Sequence, residues 1–268
     1  VYTNVTEHVK IGDAPADFQR LAPSFTVSLQ PWQEQLLFLR LMYKSTFRMP
    51  TFNDLYYYRL GNRSLRPEKA NEYNMGITWS RSFSSFLNYL SVTVDGYYND
   101  VTDKIVAFPT TYAWKMANYG KVHVTGMDAT LAAAASLGKN TVLVVSGGYT
   151  WQKAIDLTDA TSKSYKDQLP YTPKHSGNVS AVLEMPWVNV GYSIVGVSER
   201  YSMSQNIPEN RIDGYMEHTV SLSRNFSFRH CKLRLQAEII NLTDTQYDVI
   251  KYYPMPGRSW RLTGTIEF

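Results

Sequence analysis

Five histidines, His8, His123, His175, His218 and His230, are the first candidates for metal chemistry, since a neutral imidazole is a common ligand. Their separations do not reproduce the spacing of a zinc-binding helix or finger. No metal and no cofactor is expected. The carboxylate pairs Asp156/Asp159 and Glu238/Asp244 are candidates for acid and base, but nothing in the sequence brings either pair to one substrate. No Gly-x-Ser-x-Gly elbow and no phosphate-cradling glycine loop is present. Gly147-Gly148 reads as strand interior, where a missing side chain lets a bulky neighbour pack or relieves a bend. The lone Cys231 excludes an internal disulfide framework and a multi-cysteine metal site. The chain is expected not to be an enzyme.

Binding chemistry is better represented. Tyr56, Tyr57, Tyr58, Arg59, Tyr112, Trp114, Lys115, Tyr165, Tyr171, Tyr252 and Tyr253 fall in punctuated stretches between regular runs. Aromatic faces suit flat, partly apolar ligands, and basic heads suit anionic chelates. The same side chains suit a lipid headgroup boundary, where Tyr and Trp collect in girdles. Basic residues are dispersed over a net charge of +4, so no nucleic-acid face is expected.

The elements that must carry these residues are strands. In Trp260-Arg261-Leu262-Thr263-Gly264-Thr265-Ile266-Glu267, apolar and polar residues alternate, which sends them to opposite faces. Leu90, Val92 and Val94 alternate with Ser91, Thr93 and Asp95; Leu233, Leu235, Ala237 and Ile239 alternate with Arg234, Gln236 and Glu238. About eleven strands are predicted, near residues 21–30, 36–47, 71–83, 87–106, 118–137, 140–156, 175–186, 188–203, 214–228, 232–247 and 259–268. No helix is predicted. The richest apolar run, 131–137, is mostly alanine and far short of the roughly 18 residues of a membrane helix.

Connections alternate in length. Short links are predicted near 31–35, 84–86, 138–140, 186–188 and 229–232; long ones near 48–70, 107–119, 156–174, 204–213 and 248–259. Outer-membrane barrels have tight periplasmic turns and extended outer loops. The reading is an all-β, antiparallel transmembrane β-barrel whose last strand runs toward the periplasm. Single-chain bacterial barrels have even strand numbers, so at least one further strand is expected. A chain opening at Val1, with no initiator Met and no signal peptide, is expected of a fragment.

The stretch Phe47-Arg48-Met49-Pro50-Thr51-Phe52-Asn53-Asp54-Leu55-Tyr56-Tyr57, then Gly61-Asn62-Arg63-Ser64-Leu65-Arg66-Pro67-Glu68, then Glu72-Tyr73-Asn74-Met75-Gly76, resembles the characteristic barrel segment of TonB-dependent outer-membrane receptors. Asn241-Leu242-Thr243-Asp244-Thr245-Gln246-Tyr247-Asp248, Pro256-Gly257-Arg258 and the tail ending in Phe268 resemble that family's closing motifs. The resemblance implies the C-terminal half of a roughly 22-stranded barrel whose plug and first half lie outside residues 1–268. It implies active import of a scarce ligand, a ferric siderophore or cobalamin, with haem behind them. It implies as partners outer-membrane lipid, the barrel assembly machinery reading Phe268, and an N-terminal plug acted on by the TonB complex. The motifs themselves read as architecture, with Asn241 and Asp244 bracing a strand end through side-chain-to-backbone bonds. A small porin or adhesin barrel without a plug is the alternative, and a barrel hydrolase using lumen-edge Ser and His a third reading.

Overall fold

A computed structural model describes residues 2–5, 18–32, 36–84, 86–109, 114–229 and 231–267. The strands are β1 Tyr2–Val5, β2 Phe18–Leu21, β3 Ser24–Leu29, β4 Leu36–Arg48, β5 Glu68–Ser82, β6 Leu87–Pro109, β7 Trp114–Gly138, β8 Thr141–Asp156, β9 His175–Glu184, β10 Asn189–Val197, β11 Arg200–Tyr201, β12 Arg211–Ile212, β13 Tyr215–Ser227, β14 Lys232–Ile240, β15 Asp248–Ile250, β16 Tyr253–Pro254 and β17 Ser259–Glu267. Eleven of them form one antiparallel sheet in the order β17-β14-β13-β10-β9-β8-β7-β6-β5-β4-β3. Spatial order follows chain order, an up-and-down meander whose end strands β3 and β17 are not paired with each other.

Register turns the sequence alternation into two continuous faces. Ile266 is opposite Leu233, which is opposite Phe226; Leu262 is opposite Ala237, which is opposite Leu222. The row continues as Leu222–Val190–Leu183–Leu143–Ala135. This apolar face is exposed, with Trp260 at 75% and Leu262 at 81%. On the other face, Arg40 pairs with Asp95 at 2.9 Å, the Oγ1 atoms of Thr78 and Thr93 lie 3.0 Å apart, and Thr150 Oγ1 donates to Asp128 at 2.6 Å. Gly76 makes room for the first pair, because a Cβ there would fall 1.9 Å from Asp95 Oδ1. A protein that solvated its polar face and packed its apolar face on a second layer would leave no such greasy exterior.

Aromatics bound the apolar band at both ends. At the short-turn end Trp32, Phe86, Trp187 and Phe228 are exposed. Toward the other end Tyr43, Tyr73 and Tyr98 form a row with ring centroids 5.1 and 6.2 Å apart. Girdles flanking an apolar band are the mark of a wall that crosses a bilayer.

The structure corrects several expectations. Residues 107–119 are not a long loop: β6 and β7 pair with each other as far as Pro109 and Trp114, with 110–113 outside the described residues. Neighbouring strands stop earlier, since β5 reaches Thr102 of β6 and β8 reaches Val122 of β7. Beyond them the two strands of the hairpin pair with each other rather than with further strands of the sheet. The predicted strand 232–247 ends at Ile240, because Asn241 turns the chain with φ 53°. The strand predicted over 188–203 ends at Val197, and Arg200–Tyr201 pairs separately with Arg211–Ile212. A one-turn helix, α1 (Phe52–Tyr56), also forms where none was predicted. Thr51 caps it: Asp54 N–H donates to Thr51 Oγ1 (3.2 Å), and Thr51 N–H donates to Asp54 Oδ2 (2.9 Å).

Candidate functional site

At the end of the wall opposite the short turns, the connecting segments fold over the polar face. Residues 49–67 pack Leu55 and Leu65 onto Ile105, with Tyr56 and Met116 against them. Glu68 ties this lid to the hairpin: its carboxylate accepts from Ile105 N–H at 3.0 Å and lies 3.6 Å from Arg48 and 3.5 Å from Lys104. Asn118 does the same at the other side, accepting from Arg66 N–H (2.8 Å) and donating to Asp103 O (2.6 Å). The architectural reading of the motif around residues 47–68 therefore has a physical basis: its polar residues satisfy backbone groups that a projecting hairpin would otherwise leave to water.

Residues 157–174 fold in beside it. Leu169 enters a buried cluster with Val101, Val122, Val124 and Ala154. Gln168 extends the edge of β8, accepting from Ala154 N–H at 3.2 Å and donating to Gln152 O at 3.3 Å. Asn206 stitches this segment to residues 198–214: its N–H donates to Asp167 (2.9 Å) and its amide donates to Gln168 O (3.0 Å). Residues 241–258 join through Lys251, whose ammonium donates to Glu209 O.

Arg200 sits where these segments meet. It is only 4% exposed, and its Nη2 donates to the carbonyls of Asp248 (2.6 Å) and Val249 (3.1 Å). Its guanidinium lies 5.7 Å from the Tyr215 ring, which stacks on Tyr247 at 3.9 Å and 14°. Tyr247 donates to Glu217 at 2.6 Å. Burial, then the Glu217 hydrogen bond and charge, push the Tyr247 phenol well above its ordinary range. Among the described residues no carboxylate lies within ion-pair distance of Arg200, and its Nη1 is buried without a hydrogen-bond partner. The guanidinium is therefore held by two carbonyl oxygens and the face of Tyr215 rather than by an ion pair.

Of the residues singled out from sequence, Trp114 and Tyr171 come together, with ring centroids 5.9 Å apart. Tyr171 also feels this centre: burial raises its phenol, opposed by a hydrogen bond from the Lys251 backbone and by the Arg200 charge. Its backbone is at φ 56°, held by its N–H donating to Tyr201 O at 2.7 Å. Positive φ is uncommon for so bulky a residue, and such positions cluster where a surface is used for binding. Tyr252 is also at positive φ, with its N–H on Asp248 Oδ2 at 2.9 Å, and it and Tyr253 are exposed at the tip of the last long connection. Lys115 opens β7 beside Trp114, and Tyr165 carries Lys166 over its ring at 5.4 Å. Tyr56 is packed into the lid, whereas Tyr57 and Tyr58 are exposed, with Arg59 over the Tyr58 ring at 5.1 Å. Tyr112 and Phe268 lie outside the described residues. Arg200, Tyr215, Tyr247 and Glu217 were missed by sequence reasoning. The alternation Tyr215-Met216-Glu217 does place Tyr215 and Glu217 on the polar face, and that signal was there to be used. Among the described residues no three His, Cys, Asp or Glu side chains group to hold a metal ion.

A single meandering wall, greasy on one face, polar on the other and capped at one rim by interlocked loops, is the wall of a membrane β-barrel. The family described as TonB dependent receptor-like, beta-barrel matches residues 2–242. The chain belongs to that family. It is 26% identical over 230 residues to the vitamin B12 transporter BtuB of Photobacterium profundum, covering 83% of this chain and 34% of that protein. It is 24% identical over 233 residues to the BtuB of Vibrio vulnificus, covering 83% and 33%. Among solved structures, the unliganded ferric citrate transporter FecA superposes with a TM-score of 0.72 at 15% identity, covering 92% of this chain and 38% of that one. The siderophore receptor PiuA of Acinetobacter baumannii does so with a TM-score of 0.68 at 19% identity, covering 94% and 36%. The chain thus spans about a third of the length of the relatives it matches.

Proposed function

We propose that this chain is the wall and part of the outer rim of an outer-membrane receptor that imports a scarce ligand, either a ferric siderophore or cobalamin. The supporting observation is the rim itself. Three connections interlock over the polar face around a buried arginine that, among the described residues, has no carboxylate within ion-pair distance; Tyr215 faces its guanidinium and stacks on Tyr247, and Tyr171, paired with Trp114, lies within reach of its charge. Aromatic faces and an unneutralised cation suit an anionic aromatic chelate, or a large, partly apolar ligand carrying phosphate. The relatives named as a B12 transporter and a siderophore receptor agree with either choice.

The wall would seal against lipid by pairing backbone groups between strands. A plug in the full protein would close the lumen and take its energy from the TonB complex, and assembly machinery would seat the wall. The chain would make and break no covalent bond. The test is uptake of labelled cobalamin and of labelled ferric siderophores by cells whose only receptor is the full-length protein. One ligand accumulates, and the paired substitution Trp114→Ala, Tyr171→Ala raises its half-saturating concentration about tenfold, the loss of roughly 1.4 kcal/mol. Accumulation of neither ligand, with the protein folded in the outer membrane, rejects the reading.

A further inference from the structure

The apolar face carries a repeated pair. Tyr98 with His123, Tyr149 with His175 and Tyr192 with His218 each place a phenol 2.7 to 3.3 Å from imidazole Nδ1. In each case the tyrosine is on one strand and the histidine on the next, opposite the residue two positions beyond the tyrosine: Asp100–His123, Trp151–His175 and Ile194–His218. All three histidines lie on the long-connection side of their tyrosines, at the upper boundary of the apolar band. His123 turns its Nε2 onto Asp100 at 3.1 Å. His175 and His218 have no such partner among the described residues. With the phenol donating to Nδ1, the His175 ring presents Nε2–H outward as a donor.

Beside His175 the wall is indented by a groove of about 720 Å³ with mostly apolar walls. Its floor is bare backbone, because Gly177 and Gly196 face each other across β9 and β10. Tyr149 and His175 stand on one side and Met216 on the other. Just past the His175 side, Lys153 is exposed on the same face, two residues beyond Trp151, with no carboxylate within ion-pair distance among the described residues. The groove is continuous with the apolar band through Val179 and Ile194; His175 lines it, and Lys153 lies outside it on the neighbouring strand, beyond Trp151 on the same face. An apolar channel lined at its end by an imidazole, with an ammonium just beyond, is complementary at a headgroup boundary to a lipid whose acyl chain is joined to a phosphate headgroup.

We propose that this groove is a lipid site: it seats one acyl chain of a phosphorylated lipid from the leaflet beside the long connections, and His175 and Lys153 take the phosphate. The site rests on the membrane placement proposed above but not on ligand import, and it would tie the rotation of the wall to a bound lipid.

The experiment is native mass spectrometry of the full-length protein extracted in mild detergent, with dipalmitoyl phosphatidylglycerol and, separately, dipalmitoylglycerol as probes. Gly196→Leu fills the groove, and its new Cβ meets only the Met216 side chain at ordinary contact, 3.7 Å. Gly264→Leu is the control on the same face, where the new Cβ meets Leu235 at 3.6 Å. Phosphatidylglycerol is retained by the parent and by Gly264→Leu, and its bound fraction falls about tenfold in Gly196→Leu. The paired change Lys153→Gln, His175→Gln removes the preference for phosphatidylglycerol over dipalmitoylglycerol. Equal retention by the parent and a folded Gly196→Leu overturns the proposal. If Gly196→Leu does not show heat-modifiable folding, the paired change decides, and an undiminished phospholipid preference overturns it. A parent that never partitions into detergent sinks the membrane placement instead, a separate failure.

Discussion

Asn241 shows how much one side chain does for the wall. It is fully buried, and its amide both donates to Thr245 O and accepts from Thr245 N–H at 2.9 Å. It also reaches Pro256 O at 3.4 Å. Asp244 completes the clasp by accepting from Arg258 N–H at 2.8 Å, and Gly257 is required beside it because a Cβ would fall 2.6 Å from Asp244 Oδ1. Both Asn241 and Asp244 are at positive φ, where Asn and Asp are tolerated better than most residues. The expectation that these two brace a strand end is what the structure shows. Asn241→Ala removes both hydrogen bonds to the half-buried Thr245 backbone, so it is expected to cost about 1–3 kcal/mol. An earlier loss of heat-modifiable mobility in rising urea measures it, and an unchanged midpoint contradicts it. Arg200, by contrast, was invisible in sequence, since nothing local distinguishes it from any other loop arginine.

At the scale of elements, the alternation of short and long connections is real at four of the five long positions. It fails at 107–119, where Pro109 and the Thr-rich stretch read as punctuation. The two strands pair as far as Pro109 and Trp114, and the folded-in segment 49–67 supports them through Met116 N–H on Leu60 O at 3.0 Å. That support gives the long connections unequal roles from the short turns. Shortening 48–70 to a tight turn is expected to reduce ligand uptake by the full protein several-fold. Shortening 31–35 by one residue should leave uptake within about twofold. Equal effects from the two deletions would contradict the assigned sidedness.

For the whole molecule, the determining feature is the two-faced sheet, because a wall between lipid and water has no other way to satisfy both solvents. Among the described residues the end strands β3 and β17 each carry one unpaired edge, and such edges seek further strands. In the sequence Phe268 continues the two-residue period of Trp260, Leu262 and Ile266, and we propose it as the residue that assembly machinery reads. Removing it from the full-length protein is expected to slow outer-membrane assembly about tenfold in pulse-chase, with the folded product otherwise normal. Identical kinetics would remove the signal role.

Strand identity, strand number and the sorting of side chains between faces were legible in the chain itself. They depend on a two-residue period that every strand carries locally, whatever its neighbours do. The motifs at 47–76 and 241–258 were equally legible, because turn and clasp chemistry acts over a few residues. The rim centre at Arg200, the support of the β6–β7 hairpin by residues 49–67 and the recurring Tyr–His pairs belong to tertiary structure alone. Each arises where segments tens of residues apart meet, and only the register between strands decides which side chains become neighbours.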